Sequence, residues 1–355
     1  MDEQKESITF GGFGDCMILG ILYSLQHIIS ILFYDKHLRI PFLCFSFFFF
    51  VFIYSLKPDT YDIIAYTNAV SYPYYEPGFS LIILALRPFL SNRAVILVIQ
   101  ILIGILTYLT VKAYIGSTES IWERGVAYAL AFFSVAFTLG VNNGLRQYMA
   151  SLIIFIAIWE FLNGHKIVSF LVFLFAPFIH YSSIMFYLLV VVILFFSEKF
   201  YFSGVRVTFS MGLVIFLFLI FSILTIITLP VLVSYTRYTG YLDRNITSGR
   251  VDFSLKYSLV LLSFLVSEFY FGKIDKKEYI FSQLRIVRMF LIILMFFLSF
   301  FNSLNEMSSR ILGFYFTLEM LVLCLAYVKG YKTSAFLINL SYAFAINAIN
   351  VIGRI

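Results

Sequence analysis

Residues 94–115 read AVILVIQILIGILTYLTVKAYI, a run in which Lys112 is the only charge. A helix crossing the hydrocarbon core of a bilayer needs about 20 predominantly apolar residues, and this stretch supplies them. The rest of the chain repeats the pattern. Of its 355 residues 61% are hydrophobic and 12% charged, with a mean hydropathy of +0.95, whereas soluble domains carry roughly 25% charged residues. The chain therefore reads as an integral membrane protein. Apolar runs between polar interruptions predict spans at 17–33, 40–56, 94–115, 125–141, 146–162, 167–180, 181–196, 207–229, 254–271, 286–301, 311–328 and 334–351. These take up about 240 residues and leave no room for a separate soluble domain, so residues 1–355 read as one membrane domain. The stretch 79–90 is apolar but too short to cross, and Pro77-Gly78 and Arg87-Pro88 bound it. It is expected to be a re-entrant or interfacial helix. The predicted fold is all-α and polytopic, with about 12 transmembrane helices plus that short one.

Charge then assigns the sides. With 79–90 not crossing, Lys36, Arg39, Lys112, Arg124, Lys166, Lys199, Arg206, Lys273, Lys276, Lys277, Arg285, Arg288, Lys329 and Lys332 fall on one side. That side carries 14 basic residues against six acids, a surplus of eight; the other carries 11 against ten, a surplus of one. Basic loops stay cytoplasmic, so both termini are expected outside. Were 79–90 to cross, the asymmetry would largely vanish. In this light the net charge of +6 is a matter of membrane orientation, and no nucleic-acid partner is expected. Cys16, Cys44 and Cys324 are isolated and match neither a disulfide framework nor a thiolate metal site. Residues 1–15 hold four acids against Lys5 and lack the basic start of a cleavable signal, so the first apolar run is expected to remain as a helix.

The polar, irregular segments that this topology leaves outside are 57–78, 141–147, 230–253 and 302–310. In the first, Glu76 follows aromatic Tyr75 and precedes Pro77, a residue suited to the first turn of a helix. It reads either as a general base beside sugar-stacking rings or as a capping carboxylate in an interfacial turn. In the second, Asn143 and Gly144 precede Arg146 and Gln147 at the start of a long apolar helix. Helix N-termini favour anions and Arg grips phosphate bidentately; an Arg snorkelling to the interface is the plainer reading. His180-Tyr181-Ser182-Ser183 interrupts an apolar stretch at an outer turn, where a His donates to phosphate or takes a proton, or merely bonds a helix-end carbonyl. Glu306 and Arg310 stand four apart at another outer helix start. Tyr235, Arg237, Tyr238 and Tyr241 make the longest outer loop aromatic and basic, as suits an acidic or sugar-bearing ligand. Glu319, near the middle of its span, is expected to face the bundle interior, protonated and bonded to a neighbouring helix. No metal-ligand spacing, Asp-x-Asp pair or phosphate-binding Gly loop is present, so neither a metal nor another cofactor is expected.

Paired outer-face arginines, a His and a Glu beside aromatic rings suit glycosyl transfer from a lipid diphosphate. Fixed positive charge stabilises the departing diphosphate, and a carboxylate or imidazole takes the proton of the attacking hydroxyl. Asp59 and Asp62 followed by Tyr-Glu-Pro-Gly-Phe at 75–79, Asn-Gly-Leu-Arg-Gln-Tyr-Met-Ala at 143–150, His-Tyr-Ser-Ser at 180–183, and Ser-Ser-Arg-Ile with Tyr315 at 308–315 together resemble the pattern of the EpsG family of Wzy-type polysaccharide polymerases, over about residues 55–320. The resemblance implies a GT-C-like fold in a bacterial inner membrane. It implies transfer of a growing O-antigen or exopolysaccharide chain from undecaprenyl diphosphate to the next lipid-linked repeat unit on the periplasmic face. Arg146 and Arg310 would then hold the donor diphosphate, Glu76 or His180 would be the base, and the 235–250 loop would line the acceptor path. Membrane lipids and a chain-length regulator are the further partners it admits. A flippase for lipid-linked sugars would place ionisable groups along a central pathway, whereas here charges gather at one face. An outer-face glycan ligase or acyltransferase is the other alternative.

The topology predicts that single cysteines at positions 75, 143 and 305 react with a membrane-impermeant thiol reagent added outside, and that cysteines at 165 and 276 do not. The reverse labelling pattern would overturn the sidedness.

Overall fold

The computed structural model describes residues 61–116, 121–132, 134–183, 279–299 and 305–332, with parts of 260–268. Predicted spans at 17–33, 40–56, 207–229 and 334–351, and nearly all of 181–196, lie outside the described residues. Among the described residues the secondary structure is entirely helical: α1 (Tyr61–Ala69), α2 (Pro77–Leu86), α3 (Asn92–Ile115), α4 (Ile121–Phe132), α5 (Val135–Asn143), α6 (Leu145–Leu162), α7 (Lys166–Ile179), α8 (Tyr279–Ser299) and α9 (Asn305–Val328). Among the described residues three helices are long and apolar enough to cross a membrane: α3, α6 and the Arg310–Val328 part of α9. In α9 94% of the apolar window is buried, against 39% in α3. The apolar sequence of α9 thus makes it the axis of the bundle, and α3 an outer staff.

In lipid, apolar contact alone does little to choose between helix pairings, so small residues and interhelical hydrogen bonds set the register. Gln100 Nε2 donates to the Val141 carbonyl at 3.1 Å, Thr107 and Tyr148 share a hydroxyl hydrogen bond at 3.3 Å, and Tyr114 donates to the Phe155 carbonyl at 2.8 Å. Each joins residues 41 apart; the first ties α3 to α5 and the other two tie α3 to α6, so α3 and α6 run parallel, with the start of α6 beside the middle of α3. Ser151 and Thr317 hydrogen-bond at 2.9 Å between α6 and α9, and Cys324 donates to the Ala127 carbonyl at 3.2 Å between α9 and α4. The small hydrophobe read at Cys324 in the sequence is thus a buried helix contact. Ser169 donates to the Ala157 carbonyl at 2.7 Å, where the antiparallel α6–α7 pair crosses on small residues.

The structure divides the apolar run 125–141. Ser134 Oγ donates to the Ala131 carbonyl at 2.6 Å and accepts from the Phe137 N–H at 3.2 Å. One hydroxyl thereby closes α4 and caps α5, a role Ser fills because its side chain competes with the backbone ladder. Hydropathy is blind to such a break. The predicted helix at 79–90 is present as α2, and its length of 10 residues is too short to span.

Arg285 and Arg288, read as loop cations in the sequence, lie within α8. Arg288 is fully buried, donates to Glu319 and bonds Glu268 at 2.8 Å, while Arg285 also donates to Glu268. Glu319 does meet a neighbouring helix, as expected, and its partner there is the Arg288 guanidinium. A charge inside a bundle persists only when paired.

Gly140 is held against a ring with no room for a side chain. A Cβ there would sit 2.2 Å from the Tyr148 ring, so Gly140→Ala must displace the ring that bonds Thr107. Overpacking of this kind costs about 1–3 kcal/mol, and thermal unfolding of the detergent-solubilised variant is expected to show that loss. Wild-type stability in Gly140→Ala would refute the packing.

Candidate functional site

The site is built where helices stop. Pro77 opens α2 with its fixed φ, and Glu76 stands at the N-cap, yet its carboxylate makes no capping bond. The reason is the next residue but one. A Cβ on Gly78 would lie 2.9 Å from the Phe178 carbonyl oxygen, so only glycine lets α2 close on the end of α7. Pro177 lies within the last turn of α7, where it removes one ladder N–H, and the helix closes two residues later with the His180 N–H on the Ala176 carbonyl. His180 then turns extended at φ −156°, ψ 114°. The two breaks bring Glu76 and His180 together across 104 residues of sequence: His180 Nδ1 lies 2.8 Å from Glu76 Oε1, and the Tyr181 N–H donates to the same oxygen at 3.3 Å.

The other carboxylate oxygen accepts from Arg146, in the first turn of α6 after the bend at Gly144. The guanidinium carbon lies 4.4 Å from the Tyr75 ring centre and 5.7 Å from that of Tyr66, and Nε donates to the Tyr66 hydroxyl at 3.3 Å. Tyr66, Tyr75 and Phe79 pack ring against ring, so the cation sits in an aromatic corner that holds its plane. Burial works against an ionised Glu76, but the His180 hydrogen bond and the Arg146 charge outweigh it and hold the carboxyl well below the usual carboxylate range. Because an ionised carboxylate only accepts, His180 gives Nδ1–H to Glu76, and Nε2 carries the lone pair. That Nε2 is buried without a partner among the described residues, as are the hydroxyls of Ser80, Ser182 and Ser183.

Arg310 lies on α9 at the same level. Its Nη1 donates to Gln147 Oε1 at 3.3 Å, and Gln147 Nε2 returns a bond to the Arg310 carbonyl at 2.5 Å. A Cβ on Gly313 would sit 2.1 Å from Gln147 Nε2, so glycine is what admits the amide between α6 and α9. Arg310 and Arg146 both bear electrostatically on His180. The site is also deep. The 41-residue offset sets Arg146 beside Ile105, near the middle of the 24-residue α3 and about 20 Å from its start.

Of the residues singled out in the sequence, Glu76, Tyr75, Arg146 and His180 meet in one cluster, with Gln147 and Arg310 as its neighbours. Tyr315 is fully buried and packs against Phe264, a core position. Asp62, Asn143 and Glu306 lie in α1, at the end of α5 and in the first turn of α9, and their side chains are outside the described set. Asp59, Tyr235, Arg237, Tyr238 and Tyr241 fall outside the described residues. Tyr66 escaped the sequence reading because one Tyr among 25 in an apolar helix gives no signal.

A many-helix membrane protein with a sunken polar site lined by two arginines, a carboxylate–imidazole pair and tyrosine rings is the class that this geometry defines. The model of the EpsG family matches residues 40–354, and the chain belongs to that family. Membership makes it a membrane protein of polysaccharide biosynthesis with a polymerase-type function. No curated protein and no solved structure matches the chain.

Removing one partner of a buried ion pair strands the other charge, at about 3–5 kcal/mol. Arg146→Ala is therefore expected to lower the unfolding midpoint more than Glu76→Gln does, and Arg146→Ala with Glu76→Gln to recover part of the loss. Strict additivity in that double-mutant cycle would show that the two side chains are uncoupled.

Proposed function

We propose that the protein is a glycosyltransferase of the polymerase type, which moves a glycan from undecaprenyl diphosphate to a lipid-linked repeat unit on the periplasmic face of the bacterial inner membrane. The observation that carries this reading is Glu76, held at once by Arg146 and His180, with His180 Nε2 left to take a proton. Glu76 itself is a poor base, since its three donors all favour the ionised form. It fixes the imidazole tautomer and stabilises the imidazolium, a positioning role like that of the carboxylate in a hydrolase triad.

The acceptor hydroxyl oxygen attacks the anomeric carbon of the donor sugar. Its proton passes to His180 Nε2, the bond from carbon to diphosphate oxygen breaks, and the electron pair leaves on the diphosphate. Arg146 and Arg310 meet that growing charge in a low-dielectric site, where fixed donors act most strongly. Two guanidiniums are thus assigned the part that a divalent cation takes in other transferases. The hydroxyls of Ser80, Ser182 and Ser183 offer hydrogen bonds to the sugars. Nε2 is sealed from water in this state, which protects the glycosyl donor from hydrolysis; the exposed turn at Tyr181 is the way in. Chains of O-antigen or exopolysaccharide type are the products, and a chain-length regulator would be a partner in the membrane.

The test is reconstitution of the purified chain with an undecaprenyl-diphosphate repeat unit, and a ladder of lengthening products is expected. Movement of the lipid-linked unit across the bilayer without a ladder would make the protein a transporter. Arg146→Ala and Arg310→Ala should each lower the polymerisation rate about 10²-fold or more, the worth of one transition-state contact. Lys at either position should restore it only in part, because a point charge does not reproduce the guanidinium fork. Near wild-type ladders from both Lys variants would remove the diphosphate assignment.

A further inference from the structure

A second basic feature lies at the far end of α3, away from the Glu76 site. There the last turns of α3 and the first turns of α4 enclose an open groove of about 780 Å³, lined by Tyr108, Leu109, Lys112 and Ala113 on one wall and Arg124 and Tyr128 on the other. The two tyrosine rings lie 4.7 Å apart across it, and Lys112 Nζ is 6.0 Å from the Tyr108 ring centre. Among the described residues no carboxylate forms an ion pair with Lys112 or Arg124. Glu123, next to Arg124 in the chain, is engaged by Lys332 at 3.0 Å. The groove thus holds two positive charges that the described fold leaves uncompensated.

The approach to it is apolar. Leu97, Ile101, Ile105 and Leu109 recur every fourth residue along α3, and all are exposed, at 45–56%. They form one stripe that ends at Lys112. From Leu97 to Leu109 the stripe is about 18 Å long, close to one leaflet's half of the roughly 30 Å hydrocarbon core. A ligand that fits has an extended hydrocarbon chain along the stripe and an anionic head between the two cations. Basic pockets between transmembrane helices hold acidic lipid heads in this way.

We propose that this groove binds an acidic glycerophospholipid of the leaflet it faces, with the phosphate between Lys112 and Arg124, the Tyr108 and Tyr128 hydroxyls beside the head, and an acyl chain along Leu97–Leu109. The site is separate from the glycosyl-transfer chemistry and does not depend on it. It ties the α3–α4 corner to the membrane and fixes its depth.

Native mass spectrometry of the full chain, released from micelles that contain either phosphatidylglycerol or phosphatidylcholine, tests the proposal. At about 1 kcal/mol for each cation near the head, phosphatidylglycerol should be held about 30-fold more tightly than phosphatidylcholine. Lys112→Gln with Arg124→Gln should abolish the preference, and Arg124→Gln alone should reduce it about 5-fold; the single variant suffices if the double one does not fold. An unchanged preference in a folded variant would overturn the site. Competition by millimolar inorganic phosphate, with release of the lipid, would show a free-anion site and overturn the lipid assignment.

Discussion

A charge taken out of water must find a partner, and the described fold is arranged around that constraint. Desolvating one ion costs several kcal/mol even after relaxation, so Glu76 exists as a buried carboxylate only because Arg146, His180 and the Tyr181 N–H converge on it. Those partners come from the start of α6 and from the turn after α7, and Glu76 itself begins α2. One carboxylate therefore pins three elements, and none of them can slip by a turn without stranding a charge. Arg288, with Glu319 and Glu268, imposes the same condition on α8 and α9.

The residues that make the site possible are mostly those that interrupt helices. Pro77 starts α2, Pro177 interrupts the ladder in the last turn of α7, Gly144 bends the chain into α6, and Gly78 and Gly313 let neighbours approach within the space a methyl would occupy. Irregular backbone at membrane depth is tolerated only where protein or a polar cavity covers it. A site of this kind cannot sit on the lipid face of a continuous helix. The broken helices and the polar hollow are one feature, and membership of a polysaccharide-polymerase family gives it its context.

The bundle also divides its labour along its length. Near the middle of α3 Arg146 is enclosed by two tyrosine rings and the Glu76 carboxylate, with its plane fixed for directional bonds. At its end Lys112 stands exposed at the head of an apolar stripe. What a cation can do follows from what surrounds it: Arg146, stacked and buried, has its plane fixed, whereas Lys112 in an open groove is a mobile point charge.

The sequence by itself determined the class and, among the described residues, several of the helices, and it singled out most of the residues that the fold brings together around Glu76. Apolar runs at 94–115, 146–162 and 167–180 lie within two residues of α3, α6 and α7, because crossing a bilayer is a property of local composition that hydropathy sums directly. Glu76, Arg146, His180 and Arg310 were conspicuous as polar residues at apolar boundaries. What the sequence left open was who meets whom. That Glu76 meets His180 and Arg146, that Tyr66 carries Arg146, that Ser134 breaks a run that hydropathy reads as whole, and that Arg288 belongs to Glu319 were decided by tertiary structure. Each depends on contacts across tens to more than a hundred residues, or on one hydroxyl outcompeting a backbone bond. Such choices turn on the geometry of partners in a low-dielectric interior, where an unmatched charge is costly and a matched one is held, and no local sum over the chain contains that information.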